Sequence, residues 1–209
     1  MPRMLCKIRG CNRVENDKMS HLSESDFSLG EQMRVLLASA SERRYSWLVE
    51  NFKNIEIKCS PLMSEEKKIE KNKNVRQQST EICFSKAKSA ALEWGMKDSK
   101  KSKNFDMIIV SDTLVESPED EKIALGKPEN SITAANMLLR LSGKRHRVWS
   151  STAVLVKNNK DYEQLNSEWG YKIWTDYAIV EFDDLNEDDI IKLVENESWI
   201  GKAGGYDMA

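Results

Sequence analysis

The sequence has no Cys-x-x-Cys pair, no surplus of basic charge and no long apolar run. Its four cysteines, Cys6, Cys11, Cys59 and Cys83, are scattered. Cys6 and Cys11 with His21 miss the spacing of the usual zinc patterns, so reduced, incidental thiols in a cytoplasmic protein are expected. Lysine and arginine number 32 against 34 aspartates and glutamates. That balance gives no electrostatic case for nucleic acid or an anionic membrane as partner. No stretch approaches the ~18 apolar residues that a bilayer span requires. No Ser/His/Asp or Cys/His arrangement marks nucleophilic catalysis either. His146, within Lys144-Arg145-His146-Arg147, reads as a turn or strand-edge histidine more readily than as a general base.

What is present is a 209-residue chain, 40% hydrophobic and 32% charged, long enough for one core in a domain of at most two lobes. Residues 1–33 place Arg3, Lys7, Arg9 and Arg13 ahead of the first acid, Glu15, and then turn rich in Ser, Asp and Glu. A disordered N-terminal extension is expected there, with the folded domain running from 34 to 209. Val35–Ala38 reads as a strand and Arg43 to about Asn51 as a short helix. Residues 54–60 alternate with period two and read as a strand. A helix is expected from Val75 to about Met96, with Ile82, Ala87, Ala90 and Ala91 on its apolar face. Met107–Val110 is a continuous apolar run, expected as a strand covered on both faces and ending at Ser111-Asp112-Thr113. Residues 117–122 read as a polar turn. A helix over Ser131–Leu141, capped by Asn130 or Ser131, is expected to bury Ile132, Ala135, Met137, Leu138 and Leu139. Two long strands, 147–157 and 172–182, follow. Asn186 then caps a last helix with Ile190, Ile191 and Val194 inward. Alternating strands and helices with adjacent late strands predict α/β with a mixed sheet.

The chemistry-bearing residues gather at element ends. Ser39-Ala40-Ser41-Glu42-Arg43-Arg44 joins a strand to a helix N-terminus, where unpaired N–H groups and the helix dipole favour an anion. Ser39 and Ser41 can donate hydroxyls, and Arg43 or Arg44 can grip phosphate oxygens. The bland alternative is an ordinary serine cap with two solvated arginines. Asp112, at the expected exit of a buried strand, can hold Mg²⁺ or accept a proton from water, or simply cap a turn. Lys127 is held between Gly126 and Pro128. Lys86 on its helix, and Glu65 and Glu66 after Ser60-Pro61, are by default solvated charges.

Each of these signals alone is weak, but their order along the chain is informative. Leu37-Ala38-Ser39-Ala40-Ser41-Glu42-Arg43-Arg44, Lys86-Ala87, Ser111-Asp112-Thr113, Leu125-Gly126-Lys127-Pro128, Leu141-Ser142-Gly143-Lys144-Arg145-His146-Arg147-Val148 and Lys202-Ala203-Gly204-Gly205-Tyr206 occur in this sequence. In that order and spacing the chain resembles the Maf family, the septum-formation-inhibitor-like nucleotide pyrophosphatases, from about residue 34 to its end. The resemblance implies a two-lobed α/β fold with a mixed twisted sheet, like that of the inosine triphosphate pyrophosphatases (Maf/Ham1). It implies hydrolysis of a nucleoside triphosphate, pyrimidine or modified, to the monophosphate and pyrophosphate, with Mg²⁺ or Mn²⁺ and in a homodimer. By position, Ser39, Ser41 and Arg43 would hold phosphates, and Lys86 and Lys127 would neutralise the triphosphate. Asp112 would be the central carboxylate, as metal ligand or base, with Glu65, or else Glu66, as the loop glutamate. Two departures stand out: Ala209 where the family carries glutamine, and no closing strand and helix after it. These set an alternative expectation, a nucleotide-binding regulator linked to cell division without turnover, and an exposed sheet edge.

Overall fold

The computed structural model describes residues 32–64, 72–95, 105–157 and 159–207. The expected extension, apart from its last two residues, lies outside these, as do Cys6, Cys11, His21, Glu65, Glu66 and Ala209. Met33 already opens the first strand.

The described residues form a seven-stranded mixed sheet with helices on both faces. Strand β1 (Met33–Leu37) is followed by helix α1 (Glu42–Asn51) and strand β2 (Ile55–Cys59), which pairs parallel to β1. Helix α2 (Val75–Gly95) then crosses back, and strand β3 (Met107–Ser117) pairs parallel to β1 on its other side. Strand order therefore reverses at β1. Right-handed crossovers in opposite directions put α1 and α2 on opposite faces of the sheet. The crevice at the carboxyl end of β1, beside the part of β3 that runs on past it, is then the topological switch point of the fold, where open α/β sheets take ligands.

Two findings correct the sequence reading here. Residues 117–122 turn only at Pro118-Glu119, from which strand β4 (Asp120–Leu125) folds back on β3 in a tight hairpin. Asp112 is not at a strand exit, because β3 continues to Ser117. The apolar run stops at Val110, but β3 stays extended on backbone pairing with strand β5 (Arg145–Lys157), which covers Met107–Val115 without a break. On the other side β3 meets β1 only over Met107–Ile109 and β4 only from Val115. Asp112 thus sits on a stretch of β3 edge between two neighbours.

Strand β7 (Trp169–Glu181) runs antiparallel along all of β5, and the two-residue β6 (Glu163–Gln164) touches only its first turns. Beyond Tyr171, β7 has no outer neighbour among the described residues. Lys172, Asp176 and Glu181 lie along that edge, and such charges blunt edge-to-edge association.

The core has two larger parts on opposite faces, with a smaller cluster of Val75, Ile82, Leu114 and Trp149 beside α2. One packs α2 through Cys83, Ala87, Ala90 and Ala91 against Leu36, Ile108, Val110, Ala153 and Leu155. The expected alanine-rich face of α2 is the buried one. Small residues let this helix lie close, and a hydroxyl chain fixes it: Ser79 to Ser151, Ser151 to Thr175 and Thr175 to Thr80, each at 2.8 Å. The other part gathers helix α3 (Ser131–Leu141) and helix α4 (Glu187–Glu195) over Val115, Val148 and Val180. Asn130 caps α3, and Asn186 closes a capping box with Asp189. The buried stripe of α3 is Ala134, Leu138 and Leu141. Ile132 and Leu139, expected inward, face solvent, and so does Ile191 on α4. The i, i+4, i+7 stripe of α3 leaves Ile132 and Leu139 outside, and on α4 it is Ile190 that turns inward. No helix among the described residues is long and apolar enough to cross a membrane.

His146 is neither in a turn nor at a strand edge. It is 3% exposed within β5, its Nε2 lies 2.7 Å from the Tyr206 hydroxyl, and it packs edge-on to Phe182 and Tyr206. Burial lowers its pKa from 6.5 to about 4. The unfolded chain therefore binds a proton between those values that the folded chain does not. Stability is fully present above pH 6.5 and falls as the pH drops through that window, by about 3 kcal/mol in all. Urea denaturation of wild type and His146→Phe at pH 7, 5.5 and 4.5 checks this. The wild type loses stability at each step and the variant shows a flatter profile; equal slopes in the two proteins would exclude His146 as the source.

Candidate active site

A cleft of about 1450 Å³ opens at the switch point. One end of it is built by the β1–α1 junction. The last bond of β1 to β3 runs from Ala38 N–H to Ile109 O, and Ser41 then caps α1 by accepting the Arg44 N–H. Ser39 Oγ accepts the Ser41 N–H at 3.2 Å and Arg44 Nη1 at 3.4 Å. The remaining first-turn N–H groups of α1 have no intrahelical partner, and the helix dipole adds to them. Both serine hydroxyls accept from the protein, so each keeps its own O–H to donate.

The two adjacent arginines diverge, because successive helix positions point about 100° apart. Arg44 turns inward, and its Nη2 donates to Thr113 Oγ1 at 2.7 Å. Burial lowers its pKa, with the Asp112 charge acting against that loss. Arg43 stays exposed and pairs with Asp207, which also takes Lys202 Nζ at 2.8 Å. The sequence left open whether Arg43 or Arg44 grips phosphate, and the family resemblance named Arg43. The structure places Arg44 against β3 and Arg43 at the rim, and both line the cleft.

Asp112 and Lys86, 26 positions apart, meet across the β3–α2 interface, with Nζ 2.8 Å from Oδ1. Their side chains are 8% and 18% exposed, so the default reading of Lys86 as a solvated lysine does not hold. Asp112 Oδ2 is buried without a hydrogen-bond partner among the described residues. An orphaned carboxylate oxygen at the base of a cleft is costly unless a water, an ion or a substrate completes it. The same charge, after the larger effect of burial, helps push the Cys83 thiol up to about 12, which leaves it inert.

Lys127 lines the cleft from the β4–α3 loop. That loop is latched by the C-terminal motif. Gly204 donates its N–H to Gly126 O at 2.9 Å, and Gly205 lies against Pro128 and Ala134. Tyr206 reaches His146, and Asp207 reaches Arg43. Sequence reasoning quoted this motif without a role; one is now visible in the way it ties α1, β5 and the lysine loop together. It also missed Thr113 and Asp207, whose partners lie 69 and 164 positions away.

Ser39, Ser41, Arg43, Lys86, Asp112 and Lys127 all line this one cleft, and Glu65 lies outside the described residues. For a divalent cation, Asp112 Oδ2 is a hard oxygen donor with no hydrogen-bond partner among the described residues. The described residues hold no group of three His, Cys, Asp or Glu for a protein-only cage. That set fits Mg²⁺, which is commonly held by one or two carboxylates together with substrate phosphates.

The family model described as Maf-like protein matches residues 34–209. The chain is 33% identical over 174 residues to a dTTP/UTP pyrophosphatase of Clostridium botulinum (strain Eklund 17B / Type B), covering 83% of this chain and 81% of that one. It is 31% identical over 175 residues to a nucleoside triphosphate pyrophosphatase of Dictyostelium discoideum, covering 84% and 75%. Among solved structures it is similar to a HAM1 protein from Coxiella burnetii, with TM-score 0.37 and 15% identity over 68% of this chain and 71% of that one.

Gly204 sits at φ +73°, and a Cβ there would lie 2.9 Å from both Val115 Cγ2 and Tyr206 Cε1. Gly204→Ala is therefore expected to cost about 1–3 kcal/mol from backbone strain and overpacking. It should also loosen the Gly126–Lys127 loop. Thermal melting together with limited proteolysis checks both; an unchanged melt would mean that the latch is not structural.

Proposed function

The chain belongs to the family of Maf-like proteins, and on that premise we propose that it is a nucleoside triphosphate pyrophosphatase, releasing a nucleoside monophosphate and pyrophosphate. The observation that carries this reading is the Asp112 carboxylate, with one oxygen held by Lys86 and the other orphaned, facing a basic, hydroxyl-rich helix N-terminus across a switch-point crevice. Hydrolysis between the α- and β-phosphates needs an oriented water and charge neutralisation more than covalent chemistry. The chain supplies both. Ser39, Ser41, Arg44 and the α1 N-terminus grip phosphate oxygens, with Arg43 at the rim. Lys86 and Lys127 approach from α2 and from the latched loop, so positive charge converges on the triphosphate from three elements.

Asp112 Oδ2 accepts a hydrogen from the attacking water and aligns it, while the Lys86 contact fixes the plane of the carboxylate. A bound Mg²⁺ or Mn²⁺, held by Asp112 and by Glu65, would screen the phosphate charge and polarise the phosphorus. Uracil and thymine nucleotides are the proposed substrates, supported by relatives named dTTP/UTP pyrophosphatases. Removal of non-standard or surplus triphosphates from the nucleotide pool is the matching cellular role.

Pyrophosphate release from a panel of nucleoside triphosphates with Mg²⁺ or Mn²⁺ tests the reading. Asp112→Asn is expected to lower kcat about 10²–10⁴-fold, and Lys127→Ala about 10²–10³-fold, with cooperative melting retained in both. Wild-type turnover in both variants would remove the assigned site. Nucleotide binding with no turnover by the folded wild type would favour the regulatory reading instead.

A further inference from the structure

Ser150 in β5 and Asp176 on the open edge of β7 are exposed on the α1 side of the sheet. Thr113 pairs in register with Ser150, and Ser150 with Asp176. The three residues stand in one row across the floor of the cleft. Neighbouring strands lie ~4.8 Å apart, so the row from Thr113 to Asp176 spans about 10 Å. Its first end is the phosphate end, where Thr113 Oγ1 accepts Arg44. Its far end is a carboxylate, which only accepts hydrogen bonds. The distance from the α-phosphate to the Watson–Crick edge of a nucleotide is of the same order as the row.

We infer that Asp176 reads the base, its carboxylate accepting the ring N3–H of a uracil or thymine while Ser150 donates to a flanking carbonyl. This rests on the hydrolase reading for what occupies the phosphate end. Asp176 Oδ1 already accepts the Tyr177 N–H at 2.8 Å, which leaves Oδ2 for a ligand. One available oxygen matches one N–H flanked by two carbonyls. A guanine edge presents two adjacent donors and is best met by a carboxylate with both oxygens open. Cytosine offers a lone pair at N3, which a carboxylate repels. Trp47, 57% exposed on α1, lines the same cleft and offers an aromatic face to a base.

The test uses uridine 5′-(α,β-imido)triphosphate, which the proposed reaction does not cleave, and its N3-methyl counterpart. Affinities for wild type, Asp176→Ala and Asp176→Asn are measured by titration calorimetry, with pyrophosphate release from UTP run in parallel. Losing one hydrogen bond to a charged group corresponds to about ten- to hundredfold. The wild type is therefore expected to bind the N3-methyl analogue that much more weakly, and Asp176→Ala to bind the two alike. Asp176→Asn, able to donate, is expected to gain relative affinity for the cytidine analogue. Equal wild-type affinities, or discrimination that survives in Asp176→Ala, would overturn the role of Asp176. If UTP is still hydrolysed in that case, the hydrolase reading stands. Tighter binding of the guanosine analogue would overturn the base assignment. Neither binding nor release by the wild type would overturn both.

Discussion

The unequal length of neighbouring strands is the constraint on which the rest depends. β3 outruns β1: the pair is hydrogen-bonded over Met107–Ile109 and then separates, and β4 takes up the same edge only at Val115. Backbone groups on the intervening edge must find water or a ligand. The gap also lets the Ser39–Arg44 turn stand opposite Asp112 rather than stack as another strand. Because β5 supports the far side of β3 without interruption, the gap opens without loosening the sheet. A rigid floor with one missing neighbour is a suitable base for a polar cleft.

Charge is then confined to that gap. Lys86 and Asp112 are brought together in the low-polarity seam between α2 and β3, where an unpaired charge would be costly. The pair is nevertheless incomplete, since one carboxylate oxygen has no partner among the described residues. Arg44 is likewise driven inward and held by neutral hydroxyls at Ser39 and Thr113. Burial weakens the case for its charge and Asp112 restores part of it. A site arranged in this way is short of negative charge on one side and short of a hydrogen-bond donor on the other. A polyphosphate with an oriented water satisfies both.

The C-terminal motif shows how a binding loop is held by chain far away in sequence. Two glycines at positive φ let the backbone lie against Gly126, Pro128 and Ala134. The same few residues carry Tyr206 to His146 and Asp207 to Arg43. The Gly126–Lys127 loop, helix α1 and the buried His146 thus share one fastening. Disturbing it would act on stability and on site geometry together.

Much of this was legible in the sequence because it is local. The strand–serine–arginine junction, the alanine face of α2, the Asn186 cap and the α/β alternation all rest on neighbours within a few residues, where periodicity and capping act. The motif order was enough to place Asp112, Lys86, Lys127, Ser39 and Ser41 in one cleft. Pairing energy, which no local pattern carries, decided the rest. It extended β3 past its apolar run and made a strand of residues 120–125. It buried His146, turned Arg44 inward and Arg43 outward, and set Thr113, Ser150 and Asp176 in one row. Those outcomes depend on which strand lies beside which, and only the assembled sheet fixes that.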